Sequence, residues 1–208
     1  EAAAKGHTVS RSVLANWKKY QKKEVKAYRH SGRYDNHDLI QAYRLYTLAL
    51  AGIPDNGAMN RLKESLSCSD QAKWMLASAY SVCGKKNIAL DMISRTSTDI
   101  GSYPEADKTY GSSTRDKALA LESFVLAGDV AKAMEIAEDV AQEVSANGFT
   151  TQTGAFASVA MNRLHKSISD KAIALEMTQS KSITVNSAKA TDCWDLDPDT
   201  GSVTIRNT

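Results

Sequence analysis

With 208 residues, a net charge of +2 and 24% charged residues, the chain has room for one sizeable core and a small appendage. Its charge balance sets up no whole-chain field that would draw it to nucleic acid or to an anionic membrane. No run of about 18 apolar residues occurs, so no segment is read as inserting into a bilayer. Cys68, Cys83 and Cys193 are odd in number and far apart, without a Cys-x-x-Cys pair, which argues against a disulfide framework or a zinc site.

In chain order, Glu1 to Lys5 read as the tail of a helix stopped by Gly6. This start, without Met and without a basic-then-apolar leader, is expected of a fragment of a longer protein. Ser10 to about Tyr28 predicts a helix with an inner stripe of Leu14, Trp17, Val25 and Tyr28. A polar loop with Gly32, Asp35 and Asn36 leads into a helix from Asp38 to Ala51. Pro54 and Asp55 restart the chain into a short helix through Met59 and Leu62 to about Leu66. Ser69 suits the cap of a helix that buries Ala72, Leu76, Ala79 and Tyr80 ahead of Gly84, with Cys83 on its apolar side. Ile88, Ala89, Met92 and Ile93 form the answering stripe. Arg95 to Ser113, with Gly101, Pro104 and Gly111, is the longest irregular connection. Helices follow from Ser113 or Thr114 to Ala127, from Asp129 to about Ser145, and from Thr150 or Thr151 to Leu164.

Three of these helices run into Gly52, Gly84 and Gly128, and each is followed by another helical pattern. They read as stacked antiparallel helix pairs, a scaffold before a catalytic pocket. Beyond Ser169 the pattern changes to short alternating runs: Ile173, Leu175 and Met177, then Ser182 to Asn186, then Gly201 to Arg206 after an Asp-Pro-Asp-Thr-Gly turn. The chain therefore divides into a helical part, 1–168, and strands, 169–208, that need partners from elsewhere.

The chemistry-bearing clusters each have a plainer reading. His30, His37, Asp35 and Asp38 assemble on paper into a metal site, but loop spacing sets no geometry, and solvated or helix-capping roles are expected. Lys18, Lys19, Lys22, Lys23, Lys26 and Arg29, interleaved with Trp17 and Tyr20, form a basic face expected to be solvated rather than to bind nucleic acid. Glu135, Glu138, Asp139 and Glu143 lie at helical spacing and are expected to be solvated too. No Gly-x-Ser-x-Gly elbow or Gly-rich phosphate loop occurs. Cys68-Ser-Asp-Gln71 suggests an internal thioester, yet Ser69 reads as a helix cap and Gln71 as first-turn residue, so no reactive role is assigned. Catalytic residues, metal ligands and cofactors are none.

Gln41-Ala-Tyr-Arg-Leu-Tyr-Thr-Leu-Ala-Leu-Ala-Gly52 and Gly57-Ala-Met-Asn-Arg-Leu62 resemble the second half of the thioester domain of bacterial alpha-2-macroglobulins. Ala72 to Tyr80, Tyr110-Gly-Ser112 with Arg115-Asp116-Lys-Ala118, and Thr150 to Thr153 resemble further landmarks in the same order. The resemblance covers about residues 1–165. It implies a partial α/α toroid running into a short C-terminal β segment that belongs to a CUB-type sandwich. Tyr43, Arg44, Arg115, Asp116, Thr151 and Gln152 fall on motif positions and are given structural roles only, Thr151 and Gln152 in packing or hydrogen bonding. The family's reactive Gly-Cys-x-Glu-Gln motif belongs upstream of Glu1, and Cys68 to Gln71 stands in the wrong place without the Gly.

The resemblance further implies a periplasmic or cell-envelope protease trap with a lipidated N-terminus, in which this chain is a non-catalytic module. Its partners are then target proteases, met through the parent protein, and other domains of the same chain, with no nucleic acid. Isolated, it is expected to expose apolar surface and self-associate. Two alternatives stand beside this: an α/α toroid enzyme of glycosidase or terpenoid-cyclase type, and a tetratricopeptide-like peptide-binding array. The first requires carboxylates or metal ligands converging on a central cavity. The second fits poorly with glycines 32 and then 44 residues apart.

Overall fold

A computed structural model describes residues 6–29, 37–65, 68–103, 111–147, 150–169, 173–178, 182–187 and 202–207. The expected helix tail at Glu1 to Lys5, the loop holding His30, Gly32, Asp35 and Asn36, and Leu66, Pro104, Tyr110, Cys193 and the turn at 197–201 lie outside the described residues. Eight helices are described: α1 (Arg11–Ala27), α2 (His37–Leu50), α3 (Asn56–Lys63), α4 (Asp70–Val82), α5 (Lys86–Ile93), α6 (Ser113–Ala127), α7 (Val130–Asn147) and α8 (Thr151–Ser169). Three strands follow: β1 (Ile173–Thr178), β2 (Ser182–Ser187) and β3 (Thr204–Asn207).

The helices form two rows. The even-numbered helices pack side by side in the order α2, α4, α6, α8, while α3 lies against α2 and α4, α5 against α4 and α6, and α7 against α6 and α8. This alternation is the expected partial α/α toroid, built from stacked helix pairs. Nine of the thirteen residues of α4 and twelve of the fifteen of α6 are buried, so these two helices occupy the middle of the core. A helix covered all round needs no polar face, and its alanines let neighbours approach closely. Ala72, Ala77, Ala79, Ala118 and Ala120 serve this purpose, with Trp74, Tyr80 and Leu121 filling the volume between.

Local chemistry sets the helix ends. At Gly128 (φ 97°) the amide of Asp129 donates to the Phe124 carbonyl at 3.0 Å and the amide of Gly128 to Val125 at 3.1 Å. These two bonds close the last turn, and they demand a left-handed residue that only glycine adopts without strain. Gly52 and Gly84 close α2 and α4 by the same pair of bonds. At the starts, Asp55, Ser69, Ser112 and Asp129 accept from the amides of Ala58, Ala72, Arg115 and Lys132.

Two expectations need correction. The inner stripe of α1 is only partly inner: Val25 is buried and Trp17 and Tyr28 half-buried, but Leu14 is exposed, because among the described residues α1 packs chiefly on α2. Helix α8 runs to Ser169 rather than to Leu164, since no glycine or proline interrupts His165 to Ser169. The strands form one sheet in which β1 pairs antiparallel with both β2 and β3, Leu175 standing opposite Val185 and Asn207.

Candidate functional site

The inner row curls so that its two ends meet. Tyr46 of α2 donates its hydroxyl to Glu122 Oε1 of α6 at 2.6 Å, Arg163 Nε of α8 donates to the same oxygen at 2.6 Å, and Arg163 Nη2 donates to the Tyr46 hydroxyl at 3.2 Å. Glu122 is 4% exposed, and a carboxylate removed from water requires this kind of charged and hydrogen-bonded company. The triad floors an open cleft of about 700 Å³ between α1 and α2 on one side and α8 on the other. Its walls are mostly apolar, from Leu14 and Trp17 of α1, Tyr43 and Leu50 of α2, and Phe156 and Val159 of α8.

A second polar cluster ties the start of α6 to its neighbours. Asp116, fully buried, accepts from Arg115 Nε at 2.8 Å and also from Arg115 Nη2, from the Tyr103 hydroxyl at 2.7 Å and from Gln71 Nε2 at 2.8 Å. A Cβ on Gly111 would fall inside the Arg115 guanidinium, so the absence of a side chain there lets Arg115 fold back over the chain. Ser112 Oγ lies 2.8 Å from Thr153 Oγ1, which links α6 to the first turn of α8. The bonds from Gln71 and Tyr103 to Asp116 and the contact of Ser112 with Thr153 tie α4, the connection before α6, α6 and α8 together, so this cluster organises the fold.

The residues singled out in the sequence divide accordingly. Arg115 and Asp116 meet in this buried pair, and Tyr43 stands on the cleft wall, 47% exposed. Arg44 faces Glu24 of α1 at 3.8 Å. Thr151 and Gln152 are both exposed, and the buried hydrogen-bonding position belongs to Thr153 beside them. Gln71 spends its amide on Asp116 rather than on Cys68, whose thiol donates to the Leu62 carbonyl at 3.6 Å. Burial first, and the Asp38 carboxylate second, push the Cys68 thiol up to about 11, the opposite of an activated cysteine. Cys83 is the C-cap residue of α4, half-buried, its thiol also raised by burial.

Asp38 is buried at the start of α2, where it accepts from the amides of Leu39 at 2.7 Å and Ser69 at 2.5 Å, and so clamps α2 to α4. Among the described residues no three His, Cys, Asp or Glu side chains gather as metal ligands would. Of the acidic set on α7, Glu135, Glu138 and Asp139 are exposed as expected, and Glu143 is half-buried. Glu143 takes Lys117 at 2.6 Å and Thr114 at 2.7 Å, and Glu135 takes Lys132 at 2.6 Å. Burial tends to raise the Glu143 carboxyl, but the bonds from Lys117 and Thr114 outweigh it and hold it below its ordinary value. Tyr46, Glu122 and Arg163 were not singled out in the sequence. The one available signal was Glu122 inside the apolar run Leu119-Ala-Leu-Glu-Ser-Phe124, a charge that must have a partner if that face is buried.

No family model matches the sequence, and no curated protein matches it. The fold is similar to that of a solved structure, native alpha-2-macroglobulin from Escherichia coli spanning domain MG7 to the C-terminus, at a TM-score of 0.59 and 16% identity. The likeness covers 89% of this chain and 31% of that one, so the chain spans about a third of the other's length. At that identity the likeness is one of fold alone. No helix among the described residues is long and apolar enough to cross a membrane.

Proposed function

We propose that the chain is a non-catalytic structural and binding module of a bacterial protease-trapping protein related to the alpha-2-macroglobulins. It needs no cofactor, packs against other domains of its polypeptide, and meets target proteases only through the parent protein, in the periplasm or cell envelope. The observation that carries this reading is the fold likeness to the E. coli alpha-2-macroglobulin structure over 89% of the chain. The polar groups support it. Among the described residues Glu122 is the single carboxylate on the cleft wall, and it is already bound by Tyr46 and Arg163, whereas paired acid–base chemistry calls for two carboxylates.

The test uses the whole parent protein incubated with an active protease. Co-elution of the parent with a protease that still cleaves a small chromogenic peptide is the expected result. Cleavage of the parent with all protease eluting alone would overturn the trap reading. Turnover of a glycoside by the chain, lost on Glu122→Gln substitution, would overturn the non-catalytic one.

A further inference from the structure

Helix α1 has two unlike sides. Val25 is buried and Trp17, Gln21 and Tyr28 are half-buried, and these residues mark its inward side. At about 100° per residue, Lys22, Lys26, Lys19 and Lys23 succeed one another over an arc of about 100° that begins beside this seam and ends on the outward side, with Tyr20 and Val13 next round the helix. All four lysines are exposed, as are Val13 at 62% and Tyr20 at 54%. Among the described residues α1 packs chiefly on α2, which leaves its outward side as a convex ridge about 25 Å long.

The charge on this ridge is unbalanced. Residues 11–29 hold seven Lys and Arg against one Glu, a net of +6 in a chain whose total is +2. Glu24, the one acid, lies on the flank away from the lysine arc and faces Arg44. Among the described residues none of Lys19, Lys22, Lys23 and Lys26 has an ion-pair partner. At physiological ionic strength charges are screened over about 8 Å, so a surface approaching α1 senses the ridge and not the balance of the whole chain.

We infer that the outward side of α1 is a contact surface for an anionic lipid bilayer, its four lysines on headgroup phosphates and Tyr20 and Val13 at the boundary between headgroups and acyl chains. A basic arc beside an exposed apolar strip is what such a surface engages, because the lysine ammonium groups meet phosphate while the neighbouring side chains leave water. A nucleic acid matches the lysines through its phosphates but leaves Val13 facing water. An acidic protein segment calls for a shaped seat, and the ridge is convex: the cleft beside α1 takes in Lys18 but none of the four lysines of the arc. The contact is peripheral, since no helix among the described residues is long and apolar enough to cross a membrane. It stands apart from the protease-trap reading, because it rests on α1 alone.

The experiment sediments the 208-residue chain with vesicles of phosphatidylcholine, with and without phosphatidylglycerol, and reads the bound fraction against lipid concentration. Binding is expected to the anionic vesicles and not to the neutral ones, and to fall with added salt. Lys19→Glu together with Lys23→Glu is expected to weaken it ~10-fold or more, and Val13→Ser together with Tyr20→Ser ~3-fold or more. Lys63→Glu, at an exposed lysine of α3, is expected to leave it unchanged. All these side chains are solvent-facing, unchanged thermal unfolding verifies that each variant is folded, and the comparison of the two vesicles needs no variant. The inference is overturned by equal binding to both vesicles or to neither, by ridge variants that bind like the unaltered chain, or by an equal loss with Lys63→Glu. It is equally overturned if the chain ignores the vesicles and binds a DNA duplex or polyglutamate through the same lysines.

Discussion

Gln71 of α4 and Asp116 of α6 are joined by a hydrogen bond, the side-chain amide donating to Oδ2 at 2.8 Å. The bond crosses between the two central helices. It occupies the glutamine that, in sequence, stands three residues from Cys68. The same carboxylate receives Arg115 and Tyr103, so one buried charge fastens α4, the start of α6 and the connection before it.

Asp116→Ala is therefore expected to cost about 3–5 kcal/mol, because it removes the carboxylate that the buried Arg115 guanidinium, Tyr103 and Gln71 all donate to. Urea unfolding measures this. Replacing the pair together, Arg115→Met with Asp116→Leu, is expected to cost less than the single change; a double variant less stable than Asp116→Ala would contradict the account.

Gly111→Ala places a methyl where the Arg115 guanidinium lies. The arginine must move off Asp116, and a loss of about 1–3 kcal/mol is expected. Combined with Arg115→Ala, the same glycine change is expected to cost little more than the arginine change alone, which a double-mutant cycle reads directly.

Gly52→Ala separates conformation from contact. Its φ is 72° and nothing lies within 4 Å of an added Cβ, so the expected loss of about 1 kcal/mol is backbone strain alone. Gly52→Asn is expected to recover part of it, because asparagine tolerates the left-handed region. Equal melting of wild type and Gly52→Ala would refute the assignment of this cap.

Alkaline pH tests two of the raised groups, the Cys68 thiol and the Tyr80 hydroxyl. Burial is the main cause for both, followed by the Asp38 carboxylate at Cys68 and by the Glu64 carboxylate and Cys83 at the Tyr80 hydroxyl, which reach about 11 and about 12. Folding holds these protons more tightly than the unfolded chain does. The stability they contribute is thus present below the ordinary thiol and phenol values and lost as pH rises through about 11 and about 12. A urea midpoint that does not fall on going from neutral pH to the upper end of this window would contradict it. Near neutral pH, thiol labelling of Cys68 in the folded chain is expected to run ~100-fold slower than in the unfolded one.

Much of the helical part was legible before folding. The glycines after Ala51, Cys83 and Ala127, the caps at Asp55 and Ser69, and the alternation beyond Ser169 each depend on a few neighbouring residues, so local physics suffices. Helix α1 was read as more buried than it is, because periodicity shows which face is apolar but not whether a neighbour covers it. Leu14 carries the right pattern, yet among the described residues no helix covers it. Thr151 and Gln152 matched a motif, while the buried bond fell to Thr153, since only the angle at which α8 meets Ser112 selects the residue that points inward.

What the sequence determined by itself, then, is the set of helices, where most of them stop, and the change to strands near the end. These follow from backbone preferences and from apolar spacing within one or two turns. Only the tertiary structure decided that Tyr46, Glu122 and Arg163, up to 117 residues apart, share one set of hydrogen bonds, and that Gln71 serves Asp116 rather than a cysteine. A buried charge is stable only with partners, and which partners reach it depends on how the row of helices curls, a property no local stretch of residues contains.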